Sequence, residues 1–280
     1  LKPILSEIPT MEDFMPKEIL TKNGLPDINS AIKKIHFPLR AVDAEIAKKR
    51  FAFEELFLLQ LNNLKLKSKL AEQKSEPIPV EQEFLEKLIT DLPFVLTNSQ
   101  KEVLHEVLDD LQKSRPMNRL LQGDVGSGKT VIAAIAAILT AKHGKQTAIL
   151  APTEVLAQQH YRTITKLFKE FESEIEILTG ASKQKKSLIE KIESGQTKII
   201  IGTHAIIQKS VKFNNLALVI VDEQHRFGVE QRASLLRVEK NSQVLIPHLL
   251  SMSATPIPRT LALTIYGDLD LSIINELPAG

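Results

Sequence analysis

Hydrophobic residues follow a distinct pattern from about residue 98 onward, where short uninterrupted runs of Ile, Leu and Val alternate with stretches of helical period. Uninterrupted apolar runs are typical of strands buried on both faces, and their alternation with helices favours a mainly parallel sheet covered by helices. This part is therefore predicted to be α/β. The predicted strands are Arg119–Gln122, Thr147–Ala151, Glu176–Thr179, Lys198–Gly202, Ala217–Val221 and His248–Ser253.

Helical periodicity between these strands predicts the covering layers of the sheet. The predicted helices are Ser99–Lys113, Lys129–Lys142, Glu154–Phe171, Lys183–Ser194, Val229–Arg237 and Arg259–Tyr266. Sheets of this kind bind ligands outside the carboxyl ends of their strands. The residues that directly follow each strand are therefore the candidates for function.

The first 90 residues have a different character. Five prolines in the first 38 residues predict a connector with short helices. Residues 42–70 carry apolar side chains at helical spacing, which predicts one long amphipathic helix whose stripe packs against a neighbouring domain rather than a cofactor or a membrane. Residues 73–79 are predicted to be a mobile break, and residues 83–90 a short helix. We therefore divide the chain into a helical connector (1–90) and an α/β domain (91–280).

Composition excludes several classes of protein. The chain has 280 residues, 36 Lys and Arg, 34 Asp and Glu, and a net charge of +2, so any contact with DNA must be local. It has no cysteine, and its seven histidines lack zinc-ligand spacing. No apolar run reaches the ~20 residues of a membrane span, and no signal peptide is visible. We expect a cytoplasmic protein, and a piece of a longer one because the chain starts at Leu1.

A phosphate-binding loop is the most specific motif in the chain. The pattern G-x-x-x-x-G-K-[ST] is complete over Gly123, Asp124, Val125, Gly126, Ser127, Gly128, Lys129 and Thr130. In such loops backbone N–H groups surround a polyanion, the lysine contacts the β- and γ-phosphates, and the Thr130 hydroxyl binds Mg²⁺. The alternative is a glycine turn with no ligand. A predicted strand before the loop and an apolar helix after it favour the nucleotide site.

Two adjacent carboxylates, Asp222 and Glu223, follow the apolar run Leu216–Val221. Asp222 suits Mg²⁺, and Glu223 suits a water poised to attack the γ-phosphate, which makes Glu223 and Lys129 the candidate catalytic residues. Solvated acids at a strand end would explain the pair alone. A complete phosphate loop in the same chain favours the hydrolytic role.

The residues in and around these motifs resemble those of a known protein family. Asp222-Glu-Gln-His-Arg-Phe-Gly-Val-Glu-Gln-Arg232, together with the phosphate loop and Ser253-Ala-Thr-Pro-Ile-Pro-Arg-Thr260, resembles the RecG family of bacterial superfamily 2 DNA helicases. The Mfd family of transcription-repair coupling factors shares much of this pattern. It usually has Glu at the position of Gln224 and Phe at that of Ser127, and both departures favour RecG.

The resemblance covers essentially the whole chain and implies a RecA-like P-loop NTPase lobe preceded by a helical connector from a wedge domain. It implies ATP and Mg²⁺ as cofactors, and as partners branched DNA, a second RecA-like lobe and the wedge domain. The implied function is ATP-dependent remodelling of stalled forks and Holliday junctions in recombination and repair. The lobe alone is expected to hydrolyse ATP poorly. The alternatives are an Mfd-like translocase and a nucleotide-dependent binding switch without turnover, against which Glu223 argues.

The segment Leu96-Thr-Asn-Ser-Gln100 is similar to the glutamine motif of these helicases. The resemblance implies that Gln100 reads the adenine edge and that Phe94 or Leu96 flanks the base. Thr97 and Gln100 also fit a helix capping box, in which the glutamine needs no ligand. Both interpretations stay open at the level of the sequence.

Loops after the second, third and fourth predicted strands resemble helicase motifs Ia, Ic and Ib, which implies contact with the DNA backbone. The residues concerned are Pro152, Thr153, Thr179, Gly180, Gly202, Thr203 and His204. Backbone contacts give little sequence preference and strong salt sensitivity. Taken alone, Thr153 is simply a helix N-cap. The basic run Lys183–Lys186 is interpreted as a solvated helix face.

Small polar residues after the last predicted strand resemble helicase motif III, which couples the nucleotide site to the DNA track. They are Ser253, Ala254 and Thr255, and the resemblance extends the relay to Gln224, His225 and Arg226. Hydroxyl groups can exchange hydrogen bonds without large repacking. The alternative for Ser253–Thr255 is an ordinary turn after a strand.

Overall fold

A computed structural model describes residues 10–208, 210–223, 238–240, 243–255 and 269–278. Contacts between residues divide the chain into two compact units, with the division between Lys65 and Leu66. Within the described ranges, no helix is both long enough and apolar enough to cross a membrane.

The first unit is helical. It contains α1 (Lys17–Asn23), α2 (Ile28–His36) and most of α3 (Ala41–Ala71), which lies where the sequence predicts one long helix. Leu56, Leu61 and Leu64 of the predicted apolar stripe are exposed, so that stripe is not buried along its length. The side chain of Arg50 is fully buried, and its guanidinium contacts Asp13 at 2.9 Å and Glu54 at 2.5 Å. Removing both acids would leave a buried charge without a partner, which is strongly destabilising, so this trio stabilises the packing of α3 within the unit.

The second unit is an α/β domain. Its helices are α4 (Gln82–Thr90), α5 (Asn98–Leu111), α6 (Lys129–Lys142), α7 (Glu154–Leu167) and α8 (Lys185–Glu193), with 3₁₀ turns at Lys169–Glu174 and His204–Ile207. Its strands are β1 (Asn118–Gly123), β2 (Gln146–Leu150), β3 (Ile175–Leu178), β4 (Ile199–Gly202), β5 (Leu216–Asp222), β6 (Val238–Lys240), β7 (Gln243–Leu245), β8 (His248–Ser253) and β9 (Asp270–Ile274). The six predicted strands are confirmed.

Seven strands form one sheet in the order β3-β4-β2-β5-β8-β1-β9, and every neighbouring pair is parallel. The edge strand β9 and the β6-β7 hairpin were not predicted from the sequence.

The helix predicted to reach Phe171 ends at Leu167 and continues as the 3₁₀ turn. The predicted helices 229–237 and 259–266 lie outside the described residues.

Alternate residues of the central strands enter two separate apolar cores. On β5, Leu218 and Ile220 join the core that includes α6, whereas Val219 and Val221 join the core on the opposite face. Both sets are buried, so both faces of the strand need apolar side chains. Helix α6 itself is buried from Val131 through Ala141, which explains why its sequence is apolar all round.

Residues 74–78 are packed against the domain. The prediction of a mobile break over residues 73–79 is therefore wrong. Ser75 N donates to Ser114 O at 2.9 Å, and Ile78 N donates to Leu111 O at 2.8 Å. Ile78 is fully buried. Proline-rich composition correctly excludes a regular helix here, but tertiary hydrogen bonds order the chain in its place.

The buried His248, on β8, secures the same segment and makes stability depend on pH. Its Nδ1 accepts from Met117 N at 3.0 Å and its Nε2 donates to Glu76 O at 3.2 Å, so only the neutral ring satisfies both partners. Burial lowers the pKa of His248 from 6.5 to about 4. The stability this gives is complete above pH 6.5 and is lost as the pH falls toward 4.

We expect the free energy of unfolding to fall by about 2 kcal/mol between pH 7.5 and pH 5 through His248 alone, since the unfolded chain binds a proton there and the folded chain does not. Urea unfolding at the two pH values, compared between the natural chain and His248→Gln, isolates this contribution. An identical pH dependence in the two proteins would contradict it.

Candidate nucleotide site

The main candidate motifs follow three strands that are neighbours in the sheet. Because the order is β5-β8-β1, the Asp222-Glu223 pair, the Ser253–Thr255 segment and the Gly123–Thr130 loop all leave the sheet at the same edge. Adjacent strands lie about 4.8 Å apart, so the two outer motifs are about 10 Å apart at their strand ends. The fold brings the three motifs together around the end of β8.

The phosphate loop has the backbone shape that a polyanion requires. Gly126 and Gly128 have φ angles of 84° and 93°, in the left-handed region that favours glycine. Lys129 begins α6, whose first N–H groups have no partner within the helix and carry the positive end of the helix dipole. Lys129 Nζ donates to Gly123 O at 2.7 Å and to Asp124 O at 2.8 Å. Two carbonyl groups of the loop thus hold the Lys129 side chain against the loop itself.

Lys129 also lies within the electrostatic influence of the candidate carboxylates. Burial lowers the pKa of Lys129, and the negative charges of Asp222, Glu223 and Asp124 partly oppose that shift. The lysine and the two acids therefore interact electrostatically.

The oxygen donors at this site fit Mg²⁺. Mg²⁺ is usually bound by one or two carboxylates together with substrate phosphates rather than by a cage made of protein alone. Among the described residues there is no cluster of three or more His, Asp or Glu that could hold a metal. The Asp222 carboxylate at the end of β5 and the Thr130 hydroxyl in the first turn of α6 match this sparse donor set.

Each of the two carboxylates has a specific hydrogen-bond partner. Asp222 Oδ2 lies 2.8 Å from His160 Nε2. Glu223 has a φ of 51°, a left-handed conformation that costs about 1–2 kcal/mol in a residue with a Cβ. Its Oε1 accepts from Ala254 N at 3.3 Å. Residues in such strained backbone regions cluster at active sites, and the Glu223 side chain contacts the segment after β8.

The segment after β8 contacts Glu223. Ser253 Oγ and Thr255 Oγ1 are 2.9 Å apart, beside the Glu223–Ala254 bond. The structure therefore places this segment beside Glu223 through Ala254, as a coupling role requires, although that role itself stays a prediction. Gln224, His225 and Arg226 lie outside the described residues.

Gln100 connects the start of α5 to the phosphate loop. Its Oε1 accepts from Thr97 N at 2.9 Å, and Thr97 Oγ1 accepts from Gln100 N at 3.2 Å, so the capping box is present. Its Nε2 donates to Ser127 O at 2.7 Å. A Cβ at Gly128 would collide with the same Gln100 amide, which is a second reason for glycine there. The sequence predicts the capping box of Gln100 but does not indicate its contact with Ser127 in the phosphate loop.

The other two candidate adenine contacts differ in accessibility. Phe94 is 38% exposed, whereas Leu96 is 3% exposed. Only the former therefore presents a large surface to a ligand. The adenine roles of Gln100, Phe94 and Leu96 stay predictions.

The candidate DNA-backbone residues occupy the other half of the same sheet edge. They follow β2, β3 and β4, which are neighbours in the order β3-β4-β2. Ala151 N donates to Gly202 O at 2.8 Å, and Glu154 Oε1 accepts from Ala181 N at 3.1 Å, so the three loops touch one another. Thr153 Oγ1 caps α7 by accepting from Leu156 N at 3.3 Å. Contact with DNA stays a prediction for all of these residues.

A parallel sheet with this phosphate loop and acidic strand end defines the chain as an α/β P-loop protein with the RecA-like fold of helicases. Residues 97–264 match the family model described as DEAD/DEAH box helicase. The chain therefore belongs to the DEAD/DEAH box helicase family.

Curated relatives confirm the resemblance to RecG that the sequence motifs indicate. The chain is 46% identical over 276 residues to the ATP-dependent DNA helicase RecG of Aquifex aeolicus, covering 96% of this chain and 34% of that protein. It is 42% identical over 277 residues to RecG of Bacillus subtilis, covering 97% of this chain and 39% of that protein. The chain thus spans little more than a third of the length of these relatives.

A solved structure, of RecG bound to a three-way DNA junction, superposes with a TM-score of 0.82 at 41% identity, covering 97% of this chain and 36% of that one. The UvsW helicase of bacteriophage T4 superposes with a TM-score of 0.51 at 16% identity, covering 72% of this chain and 69% of that one. The second likeness supports the fold alone.

Proposed function

We propose that this chain is the first motor lobe of an ATP-dependent DNA helicase that remodels branched DNA in recombination and repair. The observation that carries the proposal is the meeting of a complete phosphate loop with Asp222 and Glu223 around one strand end, in a chain that resembles RecG over 97% of its length. The RecG of that comparison is bound to a three-way DNA junction. Branched DNA is accordingly the proposed substrate.

The residues of the site divide the work of ATP hydrolysis. Mg²⁺-ATP supplies the transferable phosphoryl group, with the cation neutralising charge on the β- and γ-phosphates. The Thr130 hydroxyl and the Asp222 carboxylate would hold the cation. Lys129, which now bonds two loop carbonyls, would exchange them for phosphate oxygens. Glu223 would orient the attacking water and accept its proton.

Adenine recognition would draw on Gln100. Its Nε2 already donates to Ser127 O, so pairing with the base requires an exchange of partner or a shared hydrogen bond. We propose that the exposed ring of Phe94 flanks the base from outside, while the buried Leu96 supports the turn.

The other half of the sheet edge would hold DNA through its backbone. With a net charge of only +2, the chain has little excess positive charge to attract DNA. The loops after β2, β3 and β4 instead offer backbone N–H groups and hydroxyls, which suit phosphate and carry no sequence information. Residues 1–90 are proposed to connect this lobe to a wedge domain, and a second RecA-like lobe would supply the arginines of the transition state.

A strand-separation assay tests the proposal. We expect the full-length protein that contains this chain to unwind forked DNA with ATP, and the 280-residue chain to unwind none, because a motor of this class needs two lobes. Fork-stimulated ATP hydrolysis by the full-length protein supports the assignment. Unwinding by the isolated chain would contradict the half-motor part of the proposal, and displacement of RNA polymerase without fork unwinding would favour the Mfd-like alternative.

A further inference from the structure

One histidine outside the recognised motifs contacts the proposed cation ligand. His160 lies on α7, on the stripe with Ala157 and Ile164 that faces the core. Ala157 is 0% and Ile164 1% exposed, so the helix face on either side of His160 is fixed by packing. A side chain held in this way has few rotamers available and can serve as a rigid support.

The contact has the geometry and the burial of a specific hydrogen bond. His160 Nε2 lies 2.8 Å from Asp222 Oδ2, and the two side chains are 8% and 13% exposed. An ionised carboxylate can only accept, so Nε2 carries the hydrogen and donates. With little water around it, this bond restricts the rotation of the carboxylate more than a surface contact would.

The position of α7 connects this hydrogen bond to the loop that follows β2. The helix begins directly after Thr153, in the loop that follows β2, and β2 is the neighbour of β5 in the sheet. His160 lies about two turns further along the same helix. One rigid element therefore extends from a candidate DNA loop to the candidate nucleotide carboxylate.

We propose that His160 is a positioning residue, which orients the Asp222 carboxylate for the nucleotide-bound cation from the helix that begins at the DNA-facing loop. The inference rests on the proposed function and deepens it, because it names the physical connection between the two halves of the sheet edge. Carboxylates that bind metals are commonly oriented by such second hydrogen bonds, and losing one weakens metal affinity about 10–100-fold.

Three variants of the chain separate positioning from packing. His160→Phe keeps an aromatic ring and removes the donor, whereas His160→Gln keeps an N–H donor at a similar reach. His105→Phe is the matched control, because His105 pairs with Asp109 at 3.1 Å on the exposed face of α5. The measured quantity is the factor by which Mg²⁺ raises the affinity of the 280-residue chain for a fluorescent ATP analogue, relative to EDTA.

We expect this Mg²⁺ factor to fall about tenfold in His160→Phe, to stay within about threefold of the natural value in His160→Gln, and to be unchanged in His105→Phe. If the natural chain binds the analogue and His160→Phe shows an unchanged Mg²⁺ factor, the positioning role is wrong while the proposed function stands. If the natural chain does not bind the analogue, both fail.

A second readout needs neither metal nor nucleotide, and its main result comes from the natural chain. The ¹⁵N chemical shifts of the His160 ring report which nitrogen is protonated. We expect a hydrogen on Nε2 in the natural chain at neutral pH, and a changed shift of that nitrogen in Asp222→Asn. An unprotonated Nε2 would overturn the proposal, since the ring could not then donate to the carboxylate.

Discussion

Glu223→Gln is expected to leave ATP binding intact and to lower the rate of hydrolysis about 10²–10⁴-fold, the usual contribution of a general base. The substitution keeps the size of the side chain and an oxygen that can still accept from Ala254 N. What it removes is the charge that orients the water and takes its proton. Because the lost interaction belongs to the transition state, kcat should fall with little change in nucleotide affinity.

Steady-state ATP hydrolysis by the full-length protein on forked DNA, combined with nucleotide titration, measures the two parts separately. Glu86→Gln, on the exposed surface of α4, is the matched control and should behave as the natural protein. Retention of more than about a tenth of the activity by Glu223→Gln would refute its assignment as the base.

The parts of this fold that could be predicted are those whose physical requirement is local. A strand buried on both faces needs an uninterrupted apolar run, so β4 and β5 can be located from their runs of Ile, Leu and Val. A phosphate loop needs glycines at fixed offsets, and one of these, Gly128, has the positive φ angle that favours glycine. Gly126, at a variable position of the pattern, has a positive φ angle as well. The placement of both motifs at one sheet edge then follows from parallel strand topology.

The edge strand β9 could not be predicted because it depends on its neighbours. Its residues Asp270 and Ser272 interrupt the apolar pattern, and only five residues pair with β1. Ser272 is buried, and Arg119 Nη1 donates to its hydroxyl at 2.6 Å, a contact 153 residues apart in sequence. A buried serine at this place in a strand becomes favourable only when such a distant partner is present.

The contacts that organise the candidate site were beyond sequence reasoning for the same reason. His160 and Asp222 are separated by 62 residues, and Gln100 and Ser127 by 27. The available signal at His160 was its place on an otherwise apolar helical stripe, which indicates burial but not a partner. For Gln100, the capping box uses only the side-chain oxygen Oε1. The side-chain nitrogen Nε2 remains as a donor, and it contacts the phosphate loop.

Lys129→Ala is expected to weaken nucleotide binding about thirtyfold or more, because losing one partner of a buried charge pair costs about 2–5 kcal/mol. Lys142→Ala is the matched control, since Lys142 lies in the last turn of the same helix, where its ammonium is 5.0 Å from the Phe84 ring centre. Urea unfolding of both variants should show that the domain stays folded.

The central claim is that the Gly123–Thr130 loop grips the phosphates of a nucleotide, and the most direct test is a titration of the 280-residue chain with a fluorescent ATP analogue in the presence of Mg²⁺. The natural chain and Lys142→Ala should bind with similar affinity, and folded Lys129→Ala should bind far more weakly. Equal affinity in all three proteins would contradict the assignment of the loop.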